Sequence, residues 1–185
     1  MFKLYTRIAE DAENLRELKQ IKPDLFDKEY HNISGYIEIK LEKSGCIGFY
    51  HDEPLREEEL GYEWLNWWLE KLADILWHLP KTKYIAFNEL ETHTWLELTH
   101  IDENVVLLKK AERSVESDGR MFTSARNIDF IYEPHEYRFS YEEMKLEVIS
   151  ATERFFDELA EINEELLQTN MAKKLFEKIN RIREL

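Results

Sequence analysis

Apolar and polar residues alternate with period two from Gly35 to Glu42. Tyr36, Ile37, Glu38, Ile39, Lys40 and Leu41 therefore read as a half-buried strand. Ser44-Gly45 follows as a turn, and Cys46 to Tyr50 reads as the return strand of a hairpin. The period then becomes helical. Trp64, Leu65, Trp68, Leu69, Leu72, Ile75, Leu76 and Leu79 share one broad apolar face at about 100° per residue. Pro54 and the acidic run Glu57-Glu58-Glu59 are expected to open this helix, because acids favour a first turn, and Pro80 to stop it.

Three apolar segments come next, Tyr84 to Leu90, Thr94 to Ile101 and Val105 to Ala111, with Asp102-Glu103-Asn104 as the turn between the last two. They suggest an antiparallel meander. Glu112 to Asn127 is polar and reads as a loop, and Ile128 to Tyr132 as one more strand ended by Pro134. Ser140 with Glu143 makes a capping-box signature ahead of Tyr141, Met144, Val148, Phe155, Leu159, Ile162 and Leu166, which fall on one helical face. A last helix, roughly Met171 to Arg183, carries Leu175, Ile179 and Ile182. The first 34 residues give mixed signals. Phe2, Leu4 and Ile8 suit a strand, Ala9 to Gln20 a helix, and Pro23 is expected to end whatever precedes it. Helices and strands do not alternate regularly. The expected class is therefore α+β, with an antiparallel sheet packed against a Trp-rich helix and two C-terminal helices. The length suits a single domain over residues 1–185, with 140–185 as its helical part.

Composition narrows the function. Lys and Arg number 25 against 39 Asp and Glu, a formal net charge of −14. Such a field repels nucleic-acid phosphate and anionic membrane, and speeds encounter with a basic protein surface. Solubility alone is the competing explanation. Cys46 is the single cysteine, so neither an internal disulfide nor a thiolate zinc site is expected. With no signal-peptide pattern at the N-terminus and no run of about 18 apolar residues, the expected location is the cytoplasm. In that setting the glycosylation sequon Asn32-Ile33-Ser34 reads as chance. The charge is uneven. Residues 171–185 hold five Lys and Arg against two Glu, or +3, which leaves −17 on the rest. The basic last helix is expected to fold back on Glu143, Glu147, Asp157, Glu161 and Glu164 of the helix before it.

Candidate chemistry is sparse. No glycine-rich phosphate loop, serine elbow, HExxH or CxxC occurs. Cys46 sits in Gly45-Cys46-Ile47-Gly48, an apolar context that suggests a buried, inert thiol. His51, Asp52 and Glu53 suit a solvated turn better than a metal site, since consecutive strand residues diverge. Neither a catalytic residue nor a cofactor is expected. For partner binding, Trp67 and Trp77 project beside an acidic stripe that includes Glu63, Glu70 and Asp74, and exposed Trp anchors tend to carry interface energy. Burial of both by the C-terminal helices is the competing reading. On the strand Thr92 to Ile101, His93, Trp95 and Glu97 share the face opposite Leu96 and Leu98, as either a second buried layer or a second binding face.

From Gly35 to Ile162 the layout resembles small acidic immunity proteins of bacterial polymorphic-toxin systems. The resemblance rests on the hairpin, the Trp64-Leu65-Asn66-Trp67-Trp68 helix, the meander, and the late helix with Phe139-Ser-Tyr-Glu-Glu-Met, Phe155-Phe156-Asp-Glu-Leu and Ile162-Asn163. It implies non-catalytic inhibition of a toxin by direct occlusion. Together with the charge, the leading expectation is a non-enzymatic binding protein whose acidic surface occludes a basic functional site on a partner protein, such as a nuclease toxin. Two other classes compete. A nucleic-acid mimic would need rows of carboxylates about 7 Å apart, twice the rise per nucleotide. A metal-dependent hydrolase would draw on His51, Asp52, His93 and Glu97.

Overall fold

The computed structural model describes residues 1–42, 45–88, 94–113, 122–124, 126 and 129–185. Strand β1 (Phe2–Ile8) buries Phe2, Leu4 and Ile8 and exposes Lys3 and Tyr5, so period-two patterning decides its faces. Helix α1 (Ala12–Leu18) is capped by Asp11, whose carboxylate accepts the Glu13 and Asn14 N–H groups. Pro23 does not merely end a segment. It opens α2 (Pro23–Glu29), at a first-turn position where its missing N–H leaves nothing unpaired.

The expected hairpin forms from β2 (Ser34–Leu41) and β3 (Cys46–Phe49), with Ser44 of its turn outside the described residues. β2 pairs with β1 along one side, and with β3 and the short β4 (Glu63–Trp64) along the other. β4 corrects the expected start of the Trp-rich helix. Trp64 pairs with Ser34 and Glu63 with Gly35, which holds residues 63–64 extended, so α3 (Leu65–Thr82) begins only at Leu65. The approach is close enough to require two glycines. A side-chain carbon on Gly61 would strike the Gly35 backbone, and one on Gly35 would strike the Arg7 carbonyl and Leu65.

α3 also runs past Pro80 instead of stopping there. The Leu76 carbonyl, which Pro80 cannot serve, accepts a hydrogen bond from the buried Tyr141 hydroxyl at 2.6 Å. The expected apolar face is buried from Leu65 to Leu79, whereas Trp64 is exposed. Asn66, expected on the polar side, is buried because its amide accepts the Ile33 N–H and donates to Asn32 Oδ1 and the His31 carbonyl.

Strands β5 (Tyr84–Asn88), β6 (Thr94–Asp102), β7 (Val105–Arg113), β8 (Phe122–Thr123) and β9 (Phe130–Ser140) form a second antiparallel sheet in the order β8-β5-β6-β7-β9. β9 continues through Pro134, against expectation. Between the Lys109–Glu136 and Ala111–Tyr132 pairs the register shifts, so residues 133–135 bulge opposite Lys110 on an edge strand, where a proline N–H is not needed.

Ser140 caps α4 (Tyr141–Asn163) by accepting the Glu143 N–H. A 3-10 turn (Glu164–Gln168) leads to α5 (Asn170–Arg183). α4 covers the free edge of β1. Glu147 accepts the Leu4 N–H, Glu158 the Ile8 N–H, and Arg154 donates to the Leu4 carbonyl. One hydrophobic core joins the inner faces of both sheets to α3, α4 and α5. Among the described residues no helix is long and apolar enough to cross a membrane.

Candidate functional site

The outer face of the first sheet follows from the same alternation that builds its core. Ile37 and Ile39 point inward, so Tyr36 and Glu38 point outward, beside Arg7 and Tyr5 in register. On β3, Cys46 pairs with Lys40 on this outer side while Ile47 takes the core position. Cys46 is therefore exposed, not buried as expected. Gly48 then adopts a φ of 80°, where any side chain would collide with the Ile37 carbonyl. After that turn Phe49 leaves the core side. Its ring meets Tyr36 edge-on at 5.6 Å and lies 5.7 Å from His51.

Residues 50–62 fold across this face as a loop. The Arg7 guanidinium donates to the carbonyls of His51 and Glu53, at 3.2 and 2.6 Å. Glu59, far from opening a helix, closes the loop on itself. One carboxylate oxygen accepts the Tyr36 hydroxyl at 2.9 Å and meets His51 Nε2 at 2.6 Å, and the other accepts the Arg56 N–H at 3.0 Å. The Arg56 N–H, with Tyr36 and His51 behind it, holds the Glu59 carboxyl below the usual carboxylate range. Burial, reinforced by Glu59, pushes the Tyr36 phenol up. These contacts enclose a cleft of about 510 Å³. Phe49 and Tyr62 stand in it 60% and 90% exposed, with Leu60, Glu53 and Glu58 beside them. Glu59 can orient His51, yet among the described residues no hydroxyl or thiol bonds to the imidazole. The arrangement supplies apolar contact and negative charge.

The residues expected to bind a partner do not gather in one place. Trp67 and Trp77 are half-buried against the core, and lysine ammonium groups sit over their rings, Lys71 at 5.7 Å and Lys81 at 3.6 Å. Trp67 lines a second, polar cleft of about 420 Å³ with Asn32, Glu70 and Lys174. Glu63 accepts the Trp68 indole N–H at 2.6 Å. Glu70 and Asp74 are already paired. Lys174 lies 2.7 Å from Glu70, and Lys178 lies 3.5 Å from Glu70 and 2.7 Å from Asp74. The basic α5 thus docks on α3 more than on the acidic side of α4, where Arg183 reaches Glu153.

On β6 the second-layer alternative holds. Trp95 and Glu97 are buried, with Phe130 5.4 Å from the Trp95 ring and both the Tyr84 and Tyr132 hydroxyls donating to Glu97. Neither side chain is exposed on the surface of the chain. Burial, with Glu97 second, raises both phenols, Tyr132 to about 12. His93 lies outside the described residues.

Neither a protein-family model, a curated protein nor a solved structure matches the chain. The site therefore rests on its own geometry. Phe49, Leu60 and Tyr62 were not singled out from the sequence. Two signals pointed to them, namely the outward parity of Tyr36 in β2 and the aromatic run Phe49-Tyr50-His51 after a glycine. Reading Glu57-Glu58-Glu59 as a helix start hid the loop that brings Tyr62 to that face.

Proposed function

We propose that the chain is a non-enzymatic binding protein of the immunity or inhibitor type, whose acidic surface covers a basic functional site on a partner protein. One observation carries this reading. Exposed aromatic side chains, Phe49 and Tyr62, stand within a cleft that also presents Glu53 and Glu58. Exposed aromatics are the side chains that anchor interfaces, and surrounding carboxylates steer a basic partner toward them. A nucleic-acid mimic would instead need free carboxylate rows. The row on α3 is engaged by Lys174 and Lys178, which favours the occluding reading over the mimic.

The test is affinity capture from the native host with the wild-type chain and with a Phe49→Ala/Tyr62→Ala variant, read by mass spectrometry. Truncating a central aromatic anchor typically costs 2 kcal/mol or more, about thirtyfold in affinity. A protein with a basic surface should be retained by the wild type and lost by the variant at unchanged thermal stability. Retention by the variant, with loss by Trp67→Ala, would move the surface to α3. Retention of the same proteins by both variants would sink the proposal.

A further inference from the structure

The loop that builds the cleft also indicates what enters it. We infer that the cleft is a socket for an arginine side chain presented by the partner protein, an inference that rests on the binding reading above. A guanidinium is planar and permanently charged, stacks on aromatic faces and directs a fork of N–H groups at carboxylates. Both kinds of wall are present. Phe49 and Tyr62 line the cleft with largely exposed rings, and Tyr36 packs edge-on against Phe49 from the sheet. Glu53 and Glu58 line the same volume, and among the described residues neither carboxylate has a hydrogen-bond or ion-pair partner. Glu59 is different. Both of its oxygens are engaged by Tyr36, His51 and Arg56, so it shapes the floor of the socket and leaves the charge pairing to the other two.

Charge complementarity decides between occupants. Glu53, Glu58 and Glu59 line the cleft against the single lining cation Arg56, a balance of −2 with His51 neutral, and Asp52 and Glu57 add to the acidity of the loop around it. An apolar or acidic side chain would leave Glu53 and Glu58 partly desolvated without a partner. A lysine ammonium would satisfy the carboxylates but use the flat ring faces less well, being a compact and strongly hydrated charge.

The experiment is an NMR titration of the ¹⁵N-labelled full chain with the peptide acetyl-Gly-Arg-Gly-amide, compared with its citrulline counterpart, which keeps the shape and removes the charge. Shifts should cluster at Phe49, His51 and residues 58–62, and the citrulline peptide should bind at least about tenfold more weakly. The Phe49→Ala/Tyr62→Ala and Glu53→Gln/Glu58→Gln variants should each lose the response while the rest of the spectrum stays folded. Equal response to citrulline, no response at these residues, or shifts centred on the Trp67 cleft would overturn the socket. The host capture experiment reads the surface without reference to arginine. Loss of the basic partner there, combined with no arginine preference here, overturns the socket and spares the surface; retention there overturns the surface itself.

Discussion

The Leu76 carbonyl is left over by Pro80 one turn on and taken up by Tyr141, so a residue far away in sequence solves the hydrogen-bond problem that the proline creates. Burial is also what pushes the Tyr141 phenol up to about 12. Replacing Tyr141 by Phe keeps the ring and strands a carbonyl in the core, which should cost about 1–3 kcal/mol in urea unfolding. Pro80→Ala returns an N–H to the helix at that position. In that background the same Tyr141→Phe change should cost less, because the carbonyl regains a donor. Equal losses in both backgrounds would show that the cost of Tyr141→Phe does not come from an unserved Leu76 carbonyl. No sequence pattern announces such a pairing. Asn66 and Cys46 teach the same thing from opposite directions. A polar residue is buried because a chain reversal needs its amide, and an apolar-looking cysteine is exposed because strand parity turns it outward. Side-chain type indicates burial only where no tertiary hydrogen bond or register outranks it.

At the scale of elements, period and capping were sufficient wherever one face meets one core. The β2 alternation, the described part of the meander, the Ser140 cap and the apolar stripe of α4 from Tyr141 to Leu159 lie where the sequence places them, whereas Leu166, expected on the same helix, falls in the 3-10 turn after it. The failures have tertiary causes. Three acids resemble a helical first turn, but strand pairing at β4 and the Gly35–Gly61 approach forbid helix before Leu65. Pro134 resembles a strand end, but an edge bulge absorbs it. The docking of α5 on α3 was concealed because nothing local tells Lys174 and Lys178 which acidic stripe to choose. That docking changes what a charge reversal does. Glu70→Lys would place a third ammonium against Lys174 and Lys178 in a partly buried setting. It should lower stability by roughly 1–3 kcal/mol, between the values for exposed and buried pairs. A Glu70→Lys chain that melts like wild type would mean that these pairs are solvent-screened and that Glu70 remains available to a partner.

Across the whole molecule the excess of acid sets the pH response. Two carboxyls, Glu10 and Glu158, are raised, in each case mainly by burial. Both are held by backbone donors, the Ser34 N–H at 2.6 Å from Glu10 and the Ile8 N–H at 2.7 Å from Glu158. A carboxyl whose pKa is raised on folding binds its proton more tightly in the native state. Its contribution is therefore fully present below the unfolded value, about 4.3, and is lost as pH rises through the folded value. Acidification from neutrality should accordingly stabilise the chain, and relief of self-repulsion at a net charge of −14 acts in the same direction. Glu59 acts oppositely. Its lowered carboxyl contributes stability above the unfolded value, which is lost only as pH falls through the folded one. The melting temperature should then rise as pH falls from neutrality and fall again in stronger acid. Salt separates the two causes of the rise, since about 1 M salt shortens the screening length to about 3 Å and suppresses surface repulsion while leaving buried carboxyls little affected. A Glu10→Gln/Glu158→Gln variant should therefore have a flatter profile than wild type at high salt. If the two profiles coincide there, the burial of these two acids does not govern the response, and the rise belongs to surface charge alone.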